Sequence, residues 1–87
     1  MRFSIEQRHL TDRNGRPYAG ERMPVSFHTC EATDAAEAVR LFLRDQNAEI
    51  IGTVVEFPGF QAVATLRNAE GVFTVQISPT SQQISIR

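Results

Sequence analysis

Residues 33–47, with the sequence TDAAEAVRLFLRDQN, form the one stretch of this chain that has the periodicity of an amphipathic helix. Apolar side chains recur there at the three- and four-residue spacing that lines one side of a helix. Asp34 followed by Glu37 has the spacing of a capping box, and Asn47 can adopt the left-handed conformation that ends many helices. The stretch therefore predicts a helix that begins at Thr33 or Asp34, ends at Asn47 and packs one side against a core.

Two strands are predicted before this helix. Residues 2–8 alternate between polar and apolar side chains, and residues 23–30 do the same after a loop that contains Asn14-Gly15. Asn-Gly is a strong hairpin signal because both residues tolerate a positive φ. Pro24 lacks a backbone donor, which favours the start of a strand or an edge position. We therefore expect a hairpin in which the two strands are antiparallel.

Three more strands are predicted after the helix. They cover residues 49–57, 60–67 and 72–78, with turns between them at Pro58-Gly59 and around Gly71. The segment 49–57 is apolar on both sides, which is typical of a central strand. The last residues, 81–87, alternate through two isoleucines and are predicted either to add a short edge strand or to trail from the domain.

The expected fold class is α+β. We predict a single domain over residues 1–87, a two-layer sandwich of one helix packed on a mainly antiparallel sheet of five to six strands, in the order β-β-α-β-β-β. One helix covers only part of such a sheet, so the apolar residues Ile50, Val54 and Val63 need further cover. Self-association through a face or an edge of the sheet is therefore expected.

Composition excludes several classes of protein. The chain of 87 residues has a net charge of −1, and all nine of its basic residues are arginine. No apolar run is long enough to cross a bilayer, so no membrane partner is expected. The first residues alternate in polarity and lack the continuous apolar region of a signal peptide, from which we expect a cytoplasmic location.

Cys30 and His28 are the residues from which a catalytic site could be built. They lie two positions apart on a predicted strand and so share a face, as a thiol and its base would. No third residue that would orient the base can be named from the sequence, so a small enzyme that uses this pair is kept only as an alternative. The histidines and the single cysteine lack the spacing of a zinc site. We therefore expect no metal, no cofactor and no enzymatic activity.

The loop between the first two strands carries the residues expected to bind a partner: Arg13, Arg16, Tyr18 and Arg22. Arginine and tyrosine are common anchors of protein interfaces. The leading hypothesis is therefore a small non-enzymatic protein-interaction module, regulatory or inhibitor-like, that binds a protein partner or itself.

Nucleic-acid binding through the same loop is the alternative, because arginine also binds phosphate and tyrosine stacks on bases. The near-neutral charge of the chain argues against this alternative. Sheet surfaces that bind RNA carry exposed aromatic residues. The aromatic residues Phe57, Phe60 and Phe73 are predicted to face the core, which disfavours a sheet platform of that kind.

Overall fold

The computed structural model describes residues 1–80, which form one helix packed on a five-stranded antiparallel sheet. The α+β class is thereby confirmed. A 3-10 turn at Gly20–Arg22, not foreseen from the sequence, precedes the second strand. The segment 81–87 lies outside the described residues, so the sixth strand stays a prediction. The elements are β1 (Arg2–His9), β2 (Val25–Glu31), α1 (Ala35–Gln46), β3 (Glu49–Phe57), β4 (Gln61–Asn68) and β5 (Gly71–Pro79).

The strands lie in the order β2-β1-β5-β4-β3, and every neighbouring pair is antiparallel. β2 and β3 are therefore the two edges of the sheet that residues 1–80 form. The prediction that residues 49–57 form a central strand was wrong. That segment is apolar on both sides because Ile50 and Val54 lie on the side of the helix, whereas Val55 and Phe57 lie on the opposite side.

The helix has the predicted ends. Asp34 is the N-cap, and its carboxylate accepts the Glu37 backbone N–H at 2.8 Å. The Glu37 carboxylate reaches back to Thr33, accepting its backbone N–H at 2.6 Å and its hydroxyl at 2.9 Å. These hydrogen bonds lower the pKa of Glu37. Asn47 ends the helix in the left-handed conformation, with φ of 52°.

The core fills the space between α1 and one side of the sheet, which we call the helix face. The opposite side, which no element in residues 1–80 covers, is called the open face.

Phe73 is buried on the helix face, as predicted, whereas Phe57 and Phe60 are about half exposed, so their predicted core positions were wrong. Phe57 lies on the open face, and Phe60 sits in the β3–β4 turn at φ of 60°. The buried apolar residues are Phe3, Ile5, Ala32, Ala35, Ala38, Val39, Phe42, Ala62, Ala64, Leu66, Phe73, Val75 and Ile77.

The connection between β1 and β2 is a folded loop anchored to the start of β5. Its tip is a small hairpin closed by a bridge between Thr11 and Pro17, with the predicted turn at Gly15, which has φ of 82°. The backbone N–H groups of Leu10 and Thr11 both donate to the Val72 carbonyl, at 2.8 and 3.2 Å. The loop therefore starts from a fixed position at one end of the sheet.

Candidate functional site

The arginine loop, residues 12–22, is held in shape by Asp12. The Asp12 carboxylate accepts the backbone N–H groups of Asn14 and Arg16, at 2.8 and 3.0 Å. The Asp12 carbonyl accepts the N–H of Gly15 at 3.0 Å, and the Arg16 carbonyl accepts the N–H of Asp12 at 2.9 Å. Side chains that hydrogen-bond the backbone two residues on are a common way to fix a turn. The loop backbone is therefore ordered before any partner binds.

The four predicted binding residues occupy different settings in this loop. Arg13 forms an exposed ion pair with Glu70, with Nη2 and Oε1 3.3 Å apart. Arg16 and Arg22 are exposed and have no carboxylate partner among the described residues. Tyr18 is half-buried, and its backbone N–H donates to the Leu10 carbonyl at 2.9 Å. Two guanidinium groups are thus available to a partner on an ordered loop.

The open face carries large apolar side chains, of which only Val63 was predicted from the sequence to need further cover. Phe27 on β2 is 71% exposed, and Val55 and Phe57 on β3 are 49% and 48% exposed. Val63 on β4 is paired with Val55 and continues the apolar surface inward from β3. We call Val55, Phe57 and Val63 the β3 patch. The signal in the sequence was the two-sided apolar pattern of residues 49–57, which we had attributed to a central strand.

The charges on the open face are paired with one another. Each arginine on this side of the strands lies next to a glutamate on the same side, so this part of the surface carries no net charge. Exposed ion pairs contribute little to stability, about 0–1 kcal/mol each. Their effect here is to leave a neutral surface around the exposed apolar residues. The pairs are Arg2–Glu31, Arg8–Glu6 and Arg67–Glu49.

A cleft of about 400 Å³ lies on the helix face between α1 and β2. It exists because α1 packs mainly over β3, β4 and β5, which leaves the β2 side of the sheet without a helix above it. His28 and Cys30 line its floor, and Leu41 and Phe42 line the wall formed by the helix. The two residues that could form a catalytic pair are thus brought to one cleft.

His28 is held in this cleft by two contacts. Its Nε2 lies 2.9 Å from Oε1 of Gln7, a residue only 3% exposed, and its ring centre lies 5.0 Å from that of Phe42. Gln7 is the orienting residue that could not be named from the sequence. Its side chain is on the helix face because β1 alternates strictly, but the pairing of Gln7 with Ser26 beside His28 depends on the β1–β2 register.

The environment of Cys30 keeps its thiol protonated. Burial raises the pKa of Cys30, and the neighbouring carboxylates of Glu31, Glu37 and Asp45 raise it further. Because the thiolate is the nucleophile, a raised pKa is the opposite of what a catalytic cysteine requires. The cleft therefore gives little support to an enzyme that uses Cys30 and His28.

We accordingly expect slow alkylation of Cys30 in the folded protein. At neutral pH, iodoacetamide should modify the native thiol more slowly than the same thiol in urea, because the raised pKa leaves a smaller fraction of reactive thiolate in the folded protein. The raised pKa of Cys30 also makes stability depend on pH. The contribution of this thiol to the free energy of unfolding is complete at neutral pH and is lost as the pH rises through the pKa of the thiol in the folded protein. Rapid modification of the native protein at neutral pH would contradict this expectation.

Comparison with known proteins gives no family for this chain. No protein-family model, no curated protein and no solved structure matches it. Within residues 1–80, no group of three or more histidine, cysteine or acidic residues is placed to hold a metal ion, and no helix is long and apolar enough to cross a membrane. The function must therefore be inferred from the surfaces of the protein itself.

Proposed function

We propose that this chain is a small non-enzymatic protein-binding module whose main binding surface is the β3 patch on the open face. The observation that supports this proposal most directly is the exposure of Val55 and Phe57, 49% and 48%, on a neutral sheet surface. Scattered exposed apolar residues are ordinary in proteins, but apolar residues grouped on one face are typical of interaction sites. A regulatory or inhibitor-like role agrees with a binding surface that lacks catalytic groups.

The chemistry of the patch indicates the chemistry of its partner. Beside Phe57 and Val63 lies a shallow groove of about 290 Å³, lined also by Gln61 and Gln76. Amide groups at the edge of an apolar surface can hydrogen-bond a partner while the apolar side chains lose their contact with water. A protein surface that is apolar, uncharged and able to hydrogen-bond is therefore the best match.

The arginine loop is proposed as a second contact, made by Arg13, Arg16, Tyr18 and Arg22. It lies at the end of the sheet where β4 ends and β5 begins, because it is anchored to Val72. The β3–β4 turn lies at the opposite end. An extended partner that runs along the open face would meet both regions. The exposed guanidinium groups of Arg16 and Arg22 would then meet acidic or carbonyl groups of that partner.

The test begins with tagged protein in lysate of the source cells, with and without nuclease, followed by mass spectrometry. The affinity of each purified candidate partner is then measured for three proteins: wild type, a double variant with V55K and F57K, and the control I50K. Ile50 is a matched control because it lies on the same strand and is 39% exposed, but on the helix face. We expect the double variant to bind at least about tenfold more weakly, a loss of about 1.4 kcal/mol, and the control to bind normally.

Equal binding by wild type and the double variant would exclude the β3 patch as the contact. The combined change of Arg13, Arg16 and Tyr18 to alanine should weaken binding while leaving the melting temperature nearly unchanged. Unaltered affinity of that variant would exclude the arginine loop. All affinities are compared at one salt concentration, since loop contacts made by arginine weaken as salt increases.

Nucleic-acid binding through the arginine loop is the second candidate. It is favoured by one observation, the exposed Arg16 and Arg22 without carboxylate partners in residues 1–80. The net charge of −1 and the neutral open face do not favour it. In the same lysate experiment, loss of the retained molecules on nuclease treatment, together with affinity that falls steeply as salt rises, would put this candidate first.

A further inference from the structure

We propose that two copies of this protein pair along β2, so that one continuous antiparallel sheet runs through both. The surface concerned is the backbone edge of β2 rather than the β3 patch, so this inference does not depend on the proposed function. Edge strands carry unpaired N–H and C=O groups that can pair with another strand, and natural proteins usually protect them.

The two edges of this sheet are protected to different degrees. In β3 the register shifts between Ile51 and Val55, at a bulge where Gly52 has φ of 81°. A bulge bends an edge strand and interrupts the regular row of hydrogen-bonding groups that another strand would need. β2 has no such device, because its seven residues pair with β1 in an unbroken register and Pro24 lies just before the strand.

The hydrogen bonds at the two ends of β2 show which backbone groups point outward. At one end the Pro24 carbonyl accepts the His9 N–H, and at the other the Ala32 N–H donates to the Met1 carbonyl, so even-numbered residues face β1. Hydrogen-bonding direction alternates along an antiparallel strand. The N–H and C=O groups of the odd-numbered residues therefore point away from the sheet. These residues are Val25, Phe27, Thr29 and Glu31.

A second copy of the chain fits this edge in one register that uses every outward group. If the two-fold axis passes beside His28, Val25 of one copy pairs with Glu31 of the second copy, and Phe27 pairs with Thr29 of the second copy. Shifting the axis by one residue in either direction leaves an outward residue of β2 without a β2 partner. The strand is therefore complementary to its own antiparallel copy.

This register also accounts for the most exposed of the large apolar side chains in residues 1–80. Phe27, 71% exposed, would lie diagonally across from the Phe27 of the second copy on the open face. Diagonal neighbours on antiparallel strands are about 7–8 Å apart, which is within reach of two aromatic rings. β2 carries no charged side chain between Val25 and Cys30. The central residues of the two paired β2 strands therefore lie side by side without repulsion between like charges. Its single charge, Glu31, already pairs with Arg2 of its own copy.

Thr29→Pro is the variant that tests the pairing. The Thr29 N–H points outward, so proline removes a donor that the second copy needs without removing a hydrogen bond to β1, and proline is tolerated on edge strands. Thr29→Ala is the matched control, since it shortens the side chain and keeps the N–H. Phe27→Lys is a second test that leaves every backbone group in place but sets two like charges close together.

Sedimentation equilibrium measures the result, over concentrations up to roughly 0.5 mM so that even weak dimers are populated. We expect wild type, Thr29→Ala and the double variant V55K and F57K, here called the β3-patch variant, to reach twice the chain mass of 9.8 kDa. Thr29→Pro and Phe27→Lys should dissociate at least about tenfold more readily. Circular dichroism establishes that each variant is folded.

Amide hydrogen exchange gives a second, independent measurement on the wild-type protein. The N–H groups of Phe27 and Thr29 should become protected as the concentration rises, while that of Glu56 on the other edge should not change. A wild-type protein that stays monomeric throughout overturns the proposal, and so does a Thr29→Pro variant that dimerises as well as wild type. A dimer that is lost only in the β3-patch variant also overturns it and would instead assign self-association to the open face.

Discussion

Replacing Gly71 with alanine should destabilise the protein by about 3 kcal/mol or more, which is one of the two largest effects that we expect. Gly71 begins β5 with φ of 121°, a conformation that side chains rarely adopt. A Cβ placed there would lie 2.7 Å from the Thr11 carbonyl oxygen and closer still to that of Asp12. Because these contacts are with backbone, the root of the arginine loop would have to move. The hydrogen bond from the Val72 N–H to the Thr11 hydroxyl, 3.0 Å long, would then be lost.

Urea unfolding followed by circular dichroism measures this effect, with Gly15→Ala as the matched control. Gly15 also has a positive φ, 82°, but no atom within 4 Å of the added Cβ. The control therefore experiences the backbone strain alone, at about 1 kcal/mol. If the two variants lost the same stability, the close approach of the loop to Gly71 would not matter and our explanation would be wrong.

Replacing Phe73 with alanine should cost about 3–5 kcal/mol, the usual range for a buried aromatic residue. Phe73 is completely buried on the helix face, on the central strand β5. Its ring meets that of Phe42 edge to face, with centres 6.5 Å apart, and that of His9 at 5.6 Å. Its loss would leave a cavity between the helix and the sheet. Since the free energy of unfolding of a domain is only about 5–15 kcal/mol, this loss would remove a large part of the stability of the protein.

Thermal and urea unfolding check this expectation, with Phe60→Ala as the control. Phe60 is 52% exposed in the β3–β4 turn, so its removal should change stability by no more than about 0.5 kcal/mol. A small effect at Phe73, comparable to that at Phe60, would mean that the core between α1 and β5 is less closely packed than the structure indicates.

The two proposed surfaces lead to different assemblies. Pairing along β2 would cover Phe27 and leave the β3 patches at the far ends of the joined sheet, each able to bind a partner. Two weak binding sites on one dimer can act together on a partner that has repeated sites. A dimeric protein whose partner binding is lost in the β3-patch variant, with the dimer intact, would support both proposals together.

Local features of the fold could be predicted from the sequence because they depend on neighbouring residues. The helix has the predicted cap at Asp34 and the predicted left-handed end at Asn47. The turn at Gly15, the alternation of β1 and the positions of β4 and β5 were also predicted correctly, apart from the first residue of β4. Each of these follows from backbone conformations that particular residues favour, or from the two-residue and 3.6-residue periods of strands and helices.

The candidate site was predicted less completely. The arginine loop was identified because it concentrates arginine and tyrosine between two strands, but its binding role is still a prediction. Of the β3 patch, Val63 was predicted to need cover, but Val55 and Phe57 were missed, since an apolar pattern on two sides of a strand fits both a buried central strand and an edge strand with an exposed side. Gln7 was missed as the partner of His28 because the two residues are 21 positions apart.

The amino-acid sequence by itself determined the class of the fold, the ends of the helix, most strand positions and the turns, all of which are governed by short-range interactions. Only the tertiary structure decided that β5 lies between β1 and β4, and therefore that β2 and β3 are the edges. It also decided which apolar side chains remain exposed on the open face and why position 71 must be glycine. These features depend on contacts between residues far apart in the chain, whose pairing no local pattern specifies.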